Sequence, residues 1–385
     1  MDEISVVTPA TGLRHHRLLL GLAGGSLVLG LVAGGGTAYA LETRASVAPV
    51  TATGESLRGA SFFPPAFGRS GSTGSSGSAD AVQAPAVAAS ADQQVGMVTI
   101  DTVLSYQGAA AAGTGMILSA DGLVLTNNHV VEGSTSIQAT DETTGQTYVA
   151  KVVGTDATHD VALLQLQDAS DLTPVTLDND NGVSTGDTVT AVGNAQGTGS
   201  LVAAAGTVLA TDQSMTATSD AGTNPENLTG LIEFSAAVVG GDSGGALVDS
   251  EGEVVGMTTA ASSAQSTVTA FAIDISDALA IAIQIEQGVD NADIVQGYPP
   301  FLGVSLAPDG SSTLAGVVQD TPAQSAGLAA GDTITTVDGT AVASASELSA
   351  AIAAHQPGDR LALTWSALDG TSSSATVTLI EGPAA

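Results

Sequence analysis

The sequence predicts a mainly β chain, with an all-β barrel or sandwich domain over 93–290 followed by a small α+β domain over 299–383. Three observations lead there. Short apolar runs such as MVTIDTVLSY, GLVLTNN, VALLQLQ, DTVTAVG and EVVGMTTA recur through the first segment, each of strand length and bounded by turn residues. Aromatic residues make up only 3% of the chain, and Gly, Ala, Ser, Thr and Val dominate, a composition that fits strands and tight turns better than large helices. The last segment instead mixes strand-like FLGVSL, AGVVQD, LALTWSAL and SATVTLI with helix-like stretches.

Within the first domain, Asp121-Gly122, Gly186-Asp187 and Glu251-Gly252 mark turns between strands. SDALAIAIQIEQG reads as a closing helix, although Leu279, Ile283 and Ile285 match helical spacing only loosely. In the second domain PAQSAGL reads as a short helix and GDTITTVDGTAV as a hairpin. Ser344 with Glu347 three positions on forms a capping box, and Leu348 and Ile352 share one face of the helix that follows. His355 falls near its end, where the helix dipole favours positive charge.

The N-terminal region has a different character. Residues 1–17 include Arg14 and Arg17 and precede an uncharged apolar run over 18–41. At about 1.5 Å per residue that run crosses a bilayer core as a helix, and the arginines place the N-terminus in the cytoplasm. Two readings stand: a retained single-span membrane anchor, or a signal segment cleaved near Ala40 after Ala38-Tyr39-Ala40. Both put the rest of the chain outside the cytoplasm. Residues 45–92, rich in Ser, Gly, Ala and Pro, read as a flexible tether with a reach of roughly 35–40 Å.

The net charge of −32 is concentrated in the body of the chain, where only Lys151 and Arg360 are basic beyond residue 70. Such a surface repels phosphate backbones, which argues against nucleic acid as a partner. With no cysteine, thiolate catalysis, disulfides and Cys-based zinc sites are excluded. The five histidines are scattered without metal-ligand spacing, so neither a metal nor a cofactor is expected.

The strongest chemical signal is GGDSGGALV around Ser243. An acyl-transfer nucleophile needs a tight, exposed turn whose N–H groups converge on the developing oxyanion. Flanking glycines permit that turn. Gly241, Asp242 and Ser243 form the expected oxyanion hole, with N–H donors from Gly241 and Ser243. A serine requires a general base, and His129 lies at the end of an apolar strand in GLVLTNNHVVEG. The third member must be a carboxylate that fixes the imidazole tautomer. Asp160, opening the apolar run HDVALLQL, is the candidate, and its neighbour His159 reads as a bystander.

GTGMILSADGLVLTNNHVVEG (113–133), THDVALLQL (158–166), AVGNAQGTGS (191–200) and LIEFSAAVVGGDSGGALVDSEGEVVGM (231–257) resemble the trypsin-like serine proteases, and more closely their HtrA/DegP branch. The resemblance covers roughly 93–383. It implies a trypsin-like double β-barrel protease domain followed by a PDZ domain, with His129 as base, Asp160 as its orienting partner and Ser243 as nucleophile. It also implies endoproteolysis of unfolded or misfolded envelope proteins, and a homo-oligomer, often a trimer in the family. One position departs from the branch: Asp242 stands where HtrA-type enzymes usually have asparagine. In zymogen-activated trypsins that aspartate pairs with a freed N-terminal amine. Here Asp242 is expected to be held by backbone donors or partly solvated, leaving the loops dependent on pH or a partner.

Ala237, where a trypsin-like pocket would carry aspartate, argues against selection of Lys or Arg. Ala237, Val238 and Val239 predict a small apolar substrate pocket, which discriminates weakly. The C-terminal segment resembles a PDZ domain. Phe301, Leu302 and Gly303 would capture a peptide C-terminus, and the peptide would add as a strand beside Val304. The competing functional reading is a catalytically silent or chaperone-like envelope protein that binds peptides through the same surfaces.

Overall fold

The computed structural model describes residues 83–179, 182–218, 225–264, 267–289 and 291–385. The apolar run 18–41 and most of the expected tether lie outside the described residues. Among the described residues no helix is long and apolar enough to cross a membrane.

Two antiparallel barrels occupy the region before residue 290. The first is built from strands Met97–Leu104, Ala109–Ile117, Leu123–Thr126, Ser136–Asp141, Thr147–Asp156 and Val161–Leu166, and it closes where Thr147–Asp156 pairs with Val161–Leu166. The second uses Thr188–Gly193, Val202–Thr218, Pro225–Ser235, Ala246–Val248, Val254–Ala264 and Thr267–Asp274, closing between Thr188–Gly193 and Val202–Thr218. Closure pairs every strand on both sides and removes exposed edges. The all-β expectation is thereby resolved in favour of barrels.

The apolar runs are continuous because each strand has two buried faces. Successive side chains point to opposite sides of a strand. Val98, Ile117, Val124 and Leu164 fill the first barrel, while their chain neighbours Met97, Met116, Leu125 and Leu163 point into the seam between barrels. The second barrel repeats the device. Ile232, Leu247 and Val255 fill its interior, and Leu231, Ala246 and Val254 face the seam. At about 1.5–3 kcal/mol per buried large aliphatic side chain, this shared layer fixes the two barrels against each other and so positions any site built across them.

The closing helix spans Ile275–Glu286, with Asp274 as N-cap accepting the Ser276 N–H. It buries Ile275, Ala278, Ala282 and Ile285, while Ile283 is exposed. The inward face is thus made partly of alanines, which is why the large residues alone matched helical spacing poorly. All three turn pairs have their glycine at positive φ, where glycine meets no Cβ penalty.

The expected tether does not extend to residue 92. Val87–Ala88 pairs with the Val202–Thr218 strand, Ala89 is buried in the seam, and Ser90 caps the short helix Ala91–Gln94 with a capping box to Gln93. The physical reason is local: a Ser-x-x-Gln cap and a buried alanine were masked by a small-residue composition shared with the true tether.

The C-terminal domain has a four-stranded sheet, ordered Thr340–Ala341, Thr333–Val337, Arg360–Ser366, Ser372–Thr378, and a separate hairpin of Val304–Leu306 with Leu314–Val317. Helices Pro322–Ser325 and Ala345–Ala353 pack with them around Leu302, Leu314, Ile334, Leu348, Leu363 and Trp365. Ser344 Oγ accepts the Glu347 N–H at 3.2 Å as the cap signal predicts, whereas the Glu347 carboxylate accepts from Ala343 N–H at 2.7 Å. His355 bridges the helix end and the sheet, with Nδ1 2.9 Å from Ala351 O and Nε2 2.9 Å from Asp338 Oδ2.

Candidate active site

The site is assembled across the seam between the barrels. His129 does not end a strand; the strand stops at Thr126, and His129 sits on the single helical turn Asn128–Val131. The turn is short because Glu132 and Gly133 follow it in non-helical conformations. The His129 backbone N–H donates to Asp160 Oδ1 at 3.0 Å, and its ring Nδ1 lies 2.9 Å from Asp160 Oδ2. A carboxylate on Nδ1 selects the Nδ1–H tautomer and places the basic lone pair on Nε2. The His129 side chain is 37% exposed, while that of Asp160 is 1% exposed.

Asp160 adopts φ 56° immediately before the Val161–Leu166 strand. Aspartate tolerates this left-handed conformation better than most residues. Its carbonyl accepts from Asn127 Nδ2 at 3.0 Å, and its carboxylate accepts the Thr259 hydroxyl at 2.5 Å. Backbone and side chain are therefore fixed from several directions. Glu132, half-buried beside this pair, has its pKa raised by burial, with the Asp160 charge adding to the rise and His129 opposing it.

Ser243 comes from the second barrel. Its carbonyl accepts from Thr114 N–H at 2.9 Å, and the next residue, Gly244, donates to Thr258 O at 2.8 Å. Ser243 Oγ donates to Thr259 O at 3.2 Å. Thr259 thus contacts Ser243 through its carbonyl and Asp160 through its hydroxyl. It lies where the register between the Val254–Ala264 and Thr267–Asp274 strands slips between Thr258 and Ala260. A bulge of this kind re-aims a side chain, and here it turns Thr259 toward the seam. No local sequence signal distinguishes Thr259 from its strand neighbours.

The glycines flanking Ser243 are sterically required. Gly241 has φ 96°, and a Cβ there would collide with the Asn194 carbonyl oxygen. Gly244 has φ 80°, and a Cβ would collide with Thr114 O and Thr126 Oγ1. Thr114 ties the two barrels, donating its hydroxyl to Gly241 O at 2.8 Å and accepting from Asn194 N–H at 2.9 Å.

Within the expected oxyanion set, the Asp242 N–H donates to Val239 O at 3.2 Å. The Asp242 side chain is 2% exposed rather than partly solvated. Oδ2 accepts the Val239 N–H at 2.9 Å, while Oδ1 is buried with no hydrogen-bond partner. Burial pushes the carboxyl up to about 6, against the lowering effect of the Val239 hydrogen bond.

Of the expected substrate pocket, Ala237 and Val239 are partly exposed. Val238 is 4% exposed and belongs to the cluster that fills the second barrel, against which the partly buried Ala237 also packs. His159 stands apart in a second pair, with Nδ1 2.8 Å from Asp156 Oδ2.

In the C-terminal domain, Phe301 pairs with Ile380 and its ring lies 5.2 Å from that of Tyr106. Leu302 and Val304 are buried, and Gly303 has φ 86° with its α-carbon packed against Thr321. Among the described residues Val304–Leu306 has one strand partner, Leu314–Val317. A cavity of about 530 Å³ lies elsewhere, between the Pro322–Ser325 helix and the Ser372–Thr378 strand.

Comparison with known proteins defines the class. Residues 113–257 match the trypsin-like peptidase domain and residues 300–379 match the PDZ domain. The chain therefore carries a trypsin-like peptidase domain followed by a PDZ domain, an arrangement similar to that of the HtrA-like serine proteases. Among named relatives, it is 34% identical over 266 residues to the periplasmic pH-dependent serine endoprotease DegQ of Escherichia coli, covering 65% of this chain and 55% of DegQ. It is 32% identical over 307 residues to the serine protease PepD of Mycobacterium tuberculosis, covering 74% of this chain and 63% of PepD. The chain spans about half the length of DegQ and of DegP. Among solved structures, the HtrA-type protease AlgW with tripeptide aligns at 29% identity and TM-score 0.44, over 77% of this chain and 97% of that one.

Proposed function

We propose that this chain is an exported serine endopeptidase in which Ser243 is the nucleophile, His129 the general base and Asp160 its orienting partner. The observation that carries the reading is Thr259, which contacts both the nucleophile candidate and the carboxylate bound to His129. Three residues distant in sequence are thereby gathered at one seam.

In this mechanism Ser243 Oγ swings off Thr259 O by a rotamer change, gives its proton to His129 Nε2 and attacks the scissile carbonyl. The Gly241 and Ser243 N–H groups stabilise the oxyanion. Asp160 stabilises the imidazolium, which then protonates the leaving amine. Water, deprotonated by the same ring, hydrolyses the acyl-enzyme and restores Ser243. Ala237 and Val239 would favour small apolar side chains beside the cleaved bond. Substrates would be unfolded or misfolded envelope proteins, and the segment Phe301–Val304 would bind peptide C-termini. Names of relatives as periplasmic proteases support action outside the cytoplasm, with residues 18–41 serving as anchor or export signal.

Cleavage of casein by the full chain and by its Ser243→Ala variant tests the reading. Loss of cleavage in the variant is expected. Equal cleavage would remove Ser243 from the chemistry, and absence of cleavage in both would favour a silent, peptide-binding protein.

A further inference from the structure

The turn that carries Ser243 holds a carboxyl group that the proposed chemistry does not use. Asp242 closes the turn twice onto Val239, through its N–H to Val239 O and through Oδ2 from Val239 N–H. Its carbonyl accepts from Gly245 N–H at 3.0 Å. Oδ1 points the other way, buried and unpartnered. It rests on the backbone of Gly193, where an added Cβ would lie 2.6 Å from Asp242 Cα and 2.8 Å from Oδ1.

Among the described residues, no lysine or arginine lies on the segments around this oxygen. The segments that touch the turn include Ala109–Ile117, Leu123–Thr126, Thr188–Gly193, residues 194–199 and Val254–Ala264, and none of these contains an ionisable side chain. The titratable groups of the site, His129, Glu132 and Asp160, belong to the other barrel. Beyond residue 70 the only Lys and Arg are Lys151, bonded to Glu381, and Arg360, in the C-terminal domain. A buried charged oxygen without a partner is costly, and proton uptake is the remaining way to remove the charge in place.

We propose that Asp242 is a proton-controlled positioning residue: the turn carrying Ser243 is closed when the Asp242 carboxyl is neutral and loosens when it ionises. The sign follows from linkage. In the closed turn burial raises the Asp242 pKa from 3.8 to about 6, so protons favour that conformation over any in which the carboxylate reaches water. Gly241 and Ser243 lie on either side of Asp242, and loosening would misdirect their N–H donors. The apparent activity would then fall as Asp242 ionises.

The decisive measurement uses the wild-type chain and needs no catalysis. Hydrogen–deuterium exchange of residues 239–245, corrected for the intrinsic pH dependence of exchange, should be slower at pH 5 than at pH 8. Equal or slower corrected exchange at pH 8 would overturn the proposal, whether or not Ser243 is a nucleophile. In Asp242→Asn the pH 5 and pH 8 values should converge. The activity readout rests on the protease reading. The ratio of kcat/KM for Asp242→Asn over wild type should climb with pH, by at most about 100-fold for a two-unit displacement. A ratio that stays flat from pH 5 to pH 8 would contradict a positioning role.

Discussion

Thr259 Oγ1 lies 2.5 Å from Asp160 Oδ2, joining the second barrel to the carboxylate that holds His129 on the first. This hydroxyl is a charge-assisted donor, worth about 1.5–3 kcal/mol to the carboxylate. Thr259→Val keeps the β-branched shape and removes the donor. We expect kcat/KM to fall about tenfold or more, because His129 then faces a less well-fixed carboxylate. Thr259→Ser should restore most of the activity. Steady-state kinetics across pH for the three proteins checks this.

Asp160→Asn probes tautomer selection. Asparagine accepts the φ of 56°, so folding should be little affected. An amide in place of the carboxylate cannot enforce the Nδ1–H tautomer. We expect kcat to drop by about 10⁴, the scale of the equivalent change in a Ser-His-Asp triad, with the melting temperature changed by only a few degrees.

Gly241→Ala tests the steric argument. Its φ of 96° and the contact with Asn194 O leave no room for a methyl group without moving the turn. Activity should fall by at least about 10², the scale of losing one oxyanion donor. Gly252→Ala is the control: a positive φ but nothing near its Cβ position. It should cost stability alone, about 1 kcal/mol by thermal unfolding.

Asp242 also makes a stability prediction. A folded-state pKa raised from 3.8 to about 6 favours folding below pH 4, and that contribution is lost as pH rises through 6. At about 1.4 kcal/mol per unit, the ionised group destabilises the fold by up to about 3 kcal/mol at pH 8. Asp242→Asn should therefore be more stable than wild type at pH 8, less the cost of its own amide protons at the Oδ1 position. The advantage should vanish by pH 4. Denaturant titrations at the two pH values measure it.

The candidate residues of this site could be named from the chain alone. Ser243 lies in a glycine-flanked motif whose spacing has few other uses, and His129 and Asp160 each adjoin an apolar strand. Thr259 was not legible, because its orientation depends on a register slip between two strands, a property of their pairing rather than of the MTTAAS sequence. The helical turn under His129 is too short for periodicity to show. Residues 83–92 looked like tether because ordered and flexible segments share the same small residues. The orphaned Asp242 Oδ1 is a fact of packing against Gly193, which sequence alone does not bring near.

The most direct measurement is covalent labelling with a fluorophosphonate, followed by mass mapping of the adduct. Attack by a serine oxygen forms an O–P bond and expels fluoride. The account predicts one adduct, on the peptide containing Ser243, lost or strongly slowed in His129→Ala. An adduct on a different residue, or labelling of Ser243 at the same rate without the imidazole, would contradict it.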